Sequence, residues 1–99
     1  MHGTTAGRAN HRGWIVVESI ASDDGGFCVD FFTDSSGGCG YAHFRSDTED
    51  QGRWTIIGDH HHRRHGTMTD ACEAAVDNVR WLCQHPGASA ALEAWRASL

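Results

Sequence analysis

Six consecutive residues, His60-His61-His62-Arg63-Arg64-His65, put four imidazoles and two guanidinium groups into one short stretch of an acidic chain. Three kinds of chemistry suit that composition. Imidazole nitrogens bind divalent metals, and zinc takes four tetrahedral ligands from Cys and His. Guanidinium groups grip phosphate or carboxylate through paired N–H donors. Histidine changes charge at about pH 6.5, close to neutrality. A solvated loop with no role of its own would have the same composition. Metal is the poorest of these, because Arg63 and Arg64 repel a cation. Cys39 and Cys72 should lie near this loop, so a site of both with two histidines is open, but the spacing matches no zinc motif. The expectation is no metal and no cofactor. The anion reading assigns His60, His61, His62, Arg63, Arg64 and His65 to a phosphate- or carboxylate-binding loop. The helix that follows would add its free N–H groups and dipole.

The loop has to be positioned by what flanks it. Before it come four segments with strand character. Trp14 to Ile20 is rich in β-branched residues. Phe27 to Thr33 alternates, with Phe27, Val29 and Phe31 on one face. Cys39 to Arg45 puts Ala42 and Phe44 on one side and Tyr41, His43 and Arg45 on the other, taken as the open face. Arg53 to Gly58 is the fourth. Three polar, Gly-containing turns join them, over residues 22–26, 34–38 and 47–52. After the loop, Thr67 and Asp70 stand three apart, as in a capping box. Met68, Cys72, Ala75, Val76, Val79, Leu82 and Cys83 form one apolar stripe at helical spacing, predicting a helix from about Met68 to Cys83. Cys72 and Cys83 then share its buried face. Pro86-Gly87 ends that helix. A shorter one, about Ala88 to Ser98, carries Leu92, Trp95 and Leu99 on one side, where Trp81 should meet it.

The predicted fold class is α+β. A four-stranded antiparallel meander is followed by one long helix packed on a sheet face and a short C-terminal helix. Residues 1–13 read as a flexible N-terminal arm and residues 14–99 as a single domain. Ninety-nine residues suffice for one modest core. No apolar run approaches the length of a membrane span. The arm lacks the apolar stretch of a secretion signal, and no two of the four cysteines have Cys-x-x-Cys spacing. A cytoplasmic location with reduced thiols is therefore expected.

All eight basic residues are Arg, against 13 Asp and Glu, for a net charge of −5. That balance disfavours nucleic acid and anionic membranes and favours a protein partner with a basic surface. A meander sends alternate turns to opposite ends of its sheet. Turns one and three would gather Asp23, Asp24, Asp47, Glu49 and Asp50 at one end. The arm and the His/Arg loop would share the other. These five carboxylates are the expected partner-binding residues, since a basic partner would relieve their mutual repulsion. The plainer alternative is that turns are polar because turns face water.

No Gly-x-Ser-x-Gly elbow, His-Glu-x-x-His, phosphate loop or dinucleotide fingerprint occurs, so no catalytic residue is assigned. The aromatic and basic face of a nucleic-acid reader is also missing, because Glu18 and Asp30 lie on the sheet. One stretch, Gly52-Arg-Trp-Thr-Ile-Ile-Gly58, then the His-containing loop, then Thr69-Asp-Ala-Cys-Glu-Ala-Ala-Val76, resembles the end of small phage and mobile-element proteins of the anti-CRISPR type. The resemblance covers about residues 52–83. It implies a small non-catalytic protein that works by occupying a larger partner. The first reading is therefore an interaction protein that blocks a nucleic-acid-handling complex through its carboxylate-rich surface. The other readings are a metal- or anion-responsive module built on His60–His65, and a structural subunit.

Overall fold

The computed structural model describes residues 8–9, 13–47 and 53–98. The four expected strands follow in sequence order: β2 (Ile15–Ala21), β3 (Phe27–Thr33), β4 (Cys39–Asp47) and β5 (Arg53–Ile57), preceded by a two-residue β1 (Arg8–Ala9). Each pairs antiparallel with the next, so the sheet order is the sequence order. Two residues of the predicted arm thus join the sheet; residues 1–7 and 10–12 lie outside the described residues. Helix α1 (Met68–Asn78) and helix α2 (Pro86–Ala97) follow. Among the described residues no helix is long and apolar enough to cross a membrane.

The turns explain the register. Ser22 and Phe27 close the first turn through the Ser22 amide and Phe27 carbonyl at 2.8 Å, with Asp24 accepting from the Gly26 amide inside it. The second is an Asp34 turn, in which that carboxylate accepts from the amides of Ser36 and Gly38. A bulge between Val16 and Glu18 shifts the alternation of β2. Val16 therefore faces away from the helices while Val17 and Ile20 face them.

Both sheet faces carry an apolar cluster. Ile20, Val29, Phe31 and Tyr41 pack against Cys72, Ala75, Val79, Leu82 and Ala88 beneath the helices. On the opposite face Trp14, Val16, Phe32 and Ala42 form a second cluster, flanked by Phe44 and Ile56. Adjacent Phe31 and Phe32 are both fully buried, one on each side. Burying each such ring contributes about 1.5–3 kcal/mol.

Three expectations are corrected. Tyr41 and His43 do not lie on an open face: Tyr41 is buried under α1 and His43 is half-buried beneath Trp81; only Arg45 of the three is exposed. Helix α1 stops at Asn78, not Cys83. Asp77, Asn78 and Val79 are weak helix formers, and Val79 is extended at φ −110°. A 3-10 turn over Leu82–Gln84 follows, and the break leaves Cys83 exposed while Cys72 stays fully buried. Pro86 begins α2 at its first position rather than only ending a helix, with His85 as N-cap. Trp81 packs on Phe27 and His43 of the sheet and meets α2 at its N-cap residue His85. Leu92 and Trp95 pack on the core as predicted, and Leu99 lies outside the described residues.

Candidate functional site

The His/Arg run is a structured part of the sheet edge. β5 pairs only with His43 to Asp47, which leaves the first half of β4 uncovered. Gly58, at φ +70°, turns the chain out of β5; a side chain there would be strained and would crowd the His60 ring. A 3-10 turn over His60–His62 follows, and the chain then returns to β4. Cys39 and His65 exchange backbone hydrogen bonds of 3.1 and 2.8 Å. The loop thus continues the sheet where β5 ends.

Its side chains go to both faces. Under the helices, His60 stacks on Tyr41 with ring centroids 5.1 Å apart, and the Tyr41 hydroxyl lies 3.1 Å from His60 Nδ1. His65 stacks on Tyr41 at 6.4 Å. On the far face His61 lies against Trp14, and the Arg64 guanidinium sits 4.9 Å over the Phe32 ring. Trp14 stacks parallel on Phe32 at 3.9 Å. Gly40 makes this possible: a Cβ there would stand 2.7 Å from the Phe32 ring.

Arg64 is committed to the protein itself. It donates to Asp34 at 2.6 Å and to the carbonyls of His61 and Arg63 at 2.7 and 3.0 Å. The Arg64 guanidinium, with Ser36 and Gly38, holds the Asp34 carboxyl far below the usual carboxylate range. His62 and Arg63 remain exposed at this end. Of the six predicted anion-binding residues, three (His60, His61 and His65) are half-buried and pack on the sheet, Arg64 closes an ion pair, and two face solvent.

Turn one and the end of β4 lie side by side at one end of the sheet. The Ser46 amide donates to the Gly26 carbonyl at 2.9 Å, which brings the end of β4 beside turn one. Asp23 has 97% of its side chain exposed, with His85 Nε2 3.4 Å away. The Gly26 amide and Ser22 hydroxyl hold the Asp24 carboxyl below its usual value, so it stays ionised. Asp47 stands across from Arg53 in the register. Arg45 and Arg53 therefore dilute the charge of this end. Glu49 and Asp50 lie outside the described residues.

Sequence reasoning missed a row of rings between these two ends. His85, Trp81, His43, His60, Tyr41 and His65 follow one another under the helices, each in ring contact with the next. The Trp81 indole N–H donates to His43 Nε2 at 3.0 Å. Burial lowers the His43 pKa, and neighbouring His60 lowers it further. Burial raises that of Tyr41. The available signal was the Phe31-Phe32 pair, since two adjacent buried residues in a strand require both faces to be covered.

Among the described residues no three His, Cys, Asp or Glu side chains come together as a metal-binding group. No disulfide joins the four cysteines to one another. No family model, curated protein or solved structure matches the chain.

Proposed function

We propose that this is a small non-enzymatic binding protein that presents Asp23, Asp24 and Asp47 to a partner with a basic surface. The observation that carries the reading is the junction of turn one with the end of β4 through the Ser46–Gly26 hydrogen bond. It gathers three carboxylates from two segments, one almost fully exposed and one held ionised. Glu49 and Asp50 belong to the adjoining turn in sequence. The resemblance of residues 52–83 to proteins of the anti-CRISPR type suggests the class of partner: a nucleic-acid-handling complex, whose phosphate-binding groove the carboxylates would occupy. The His60–His65 loop is the poorer candidate for an anion site, because Arg64 already has its carboxylate.

The test is capture of partners from the source cell by the wild-type protein and by an Asp23→Lys, Asp24→Asn, Asp47→Lys variant, identified by mass spectrometry. Asp24→Asn keeps an acceptor for the Gly26 amide, so the turn persists. The expected result is a basic partner bound by the wild type and lost from the variant at unchanged circular dichroism. A partner held equally by both would sink the acidic-end reading.

A further inference from the structure

We propose that β5 pairs antiparallel with β5 of a second copy of this chain, about a two-fold axis through Thr55. β5 is the last strand of the sheet, so among the described residues its outer edge has no strand beside it. Such an edge offers a ready row of N–H and C=O groups, which proteins normally blunt with Pro, Lys or a bulge. β5 has no Pro and no bulge, and its one charge, Arg53, stands at its first position: its sequence is Arg-Trp-Thr-Ile-Ile and its register with β4 is regular. Arg53, Trp54 and Thr55 are all exposed. Trp54 is 49% accessible, the most exposed large apolar side chain among the described residues.

The strand is complementary to itself. With Thr55 opposite its own symmetry mate, Trp54 lies across from the partner's Ile56, and Ile56 across from the partner's Trp54. Both pairs fall on the face away from the helices, the face of Ile56 and Phe44. Aromatic against β-branched is a favourable cross-strand pair. Charge agrees with this register. Arg53 stands opposite the partner's Ile57, so the two Arg53 side chains lie at opposite ends of the paired strands and no like charges meet. The two half-covered Phe44 rings would then flank a joint apolar patch. Five residues a side make a small interface, so the association is of the weak, concentration-dependent kind. The inference is independent of the acidic-end reading, which concerns other residues.

Sedimentation equilibrium over a broad concentration range tests it. The wild-type mass should rise from 10.8 kDa toward twice that value. Trp54→Lys should remain monomeric throughout while keeping the wild-type circular dichroism. Register is tested by Thr55→Cys in a Cys28→Ser, Cys83→Ser background. Directly opposed residues have Cα atoms about 4.5–5.5 Å apart, within disulfide reach. Mild oxidation should therefore give a covalent dimer from Thr55→Cys and much less from Arg53→Cys. A wild type that is monomeric at every concentration overturns the proposal. So does a dimer that survives Trp54→Lys, or one in which Arg53→Cys cross-links as readily as Thr55→Cys.

Discussion

The indole N–H of Trp81 points at Nε2 of His43, 3.0 Å away, and joins the turn after α1 to the middle of β4. An imidazole that accepts at Nε2 is neutral and carries its proton on Nδ1. Protonation of His43 would put two donors face to face. Burial beneath Trp81 and Phe27, with His60 nearby, already disfavours the charged form. The unfolded chain therefore takes up this proton more readily than the folded one. Stability from neutral His43 is fully present above the ordinary value of about 6.5 and is lost as pH falls below it. The urea midpoint should drop between about pH 7.5 and 5.5. His43→Gln, which keeps an acceptor but does not titrate, should flatten the drop. A nuclear magnetic resonance titration placing His43 at or above the ordinary value would refute the assignment.

Gly40 and Phe32 give the second prediction. Phe32 is fully buried between Trp14 and the loop, and a Cβ on residue 40 would overlap its ring at 2.7 Å and press on the Arg63 carbonyl at 3.2 Å. Phe32 cannot retreat, because Trp14 is stacked on it. Gly40→Ala should cost about 1–3 kcal/mol, the usual penalty of overpacking. Chemical denaturation measures it, and a neutral result would mean that the Trp14–Phe32 stack yields readily from its 3.9 Å spacing.

The sheet was legible in the sequence because its segments are rich in β-branched and aromatic residues and each turn carries its own chemistry: the Asp24-Gly25-Gly26 and Asp34 to Gly38 segments leave little choice of connection. The cap of α1 was equally plain, with Thr67 accepting from the Asp70 amide at 3.0 Å. The end of α1 was not. The apolar spacing of Val79 and Leu82 continues the helical stripe, and both are buried, but the chain reaches those places through an extended Val79 and a 3-10 turn. Periodicity reports which side chains go inward, not the backbone that takes them there. The faces of β4 were ambiguous for a related reason. Tyr41 and His43 look like surface residues until α1 and the His60–His65 loop are laid over them, and those contacts are long-range. The partners of Arg64 and His60 were illegible too, since a run of like residues hides which member points where.

Arg64 supplies the third prediction. Its bonds to Asp34, His61 and Arg63 tie turn two to the loop beside β4. Arg64→Ala should leave the fold intact and loosen that tie. Amide exchange at Cys39 and His65, which bond each other's carbonyls, should speed up by about tenfold or more, as local openings become easier. Amides of β2 and β3 should not change. Unaltered exchange at Cys39 and His65 would show that the backbone pair holds without the ion pair.

The fourth prediction separates the cysteines. Cys83 is exposed on the turn after α1, Cys28 is half-buried beside Ser19 and Asp30, and Cys39 and Cys72 are buried. Burial pushes the Cys72 thiol up to about 11, with Glu73 adding to it, and raises that of Cys39 too. The thiolate is the reactive form, so at neutral pH both burial and protonation protect these two. An aromatic disulfide reagent should modify Cys83 first, Cys28 more slowly, and Cys72 only when the protein unfolds. A helix running unbroken to Cys83, as the apolar stripe alone suggests, would place Cys72 and Cys83 on the same buried face and make them react alike. Rate constants differing by at least about tenfold therefore support the break at Val79, and equal rates would restore the longer helix.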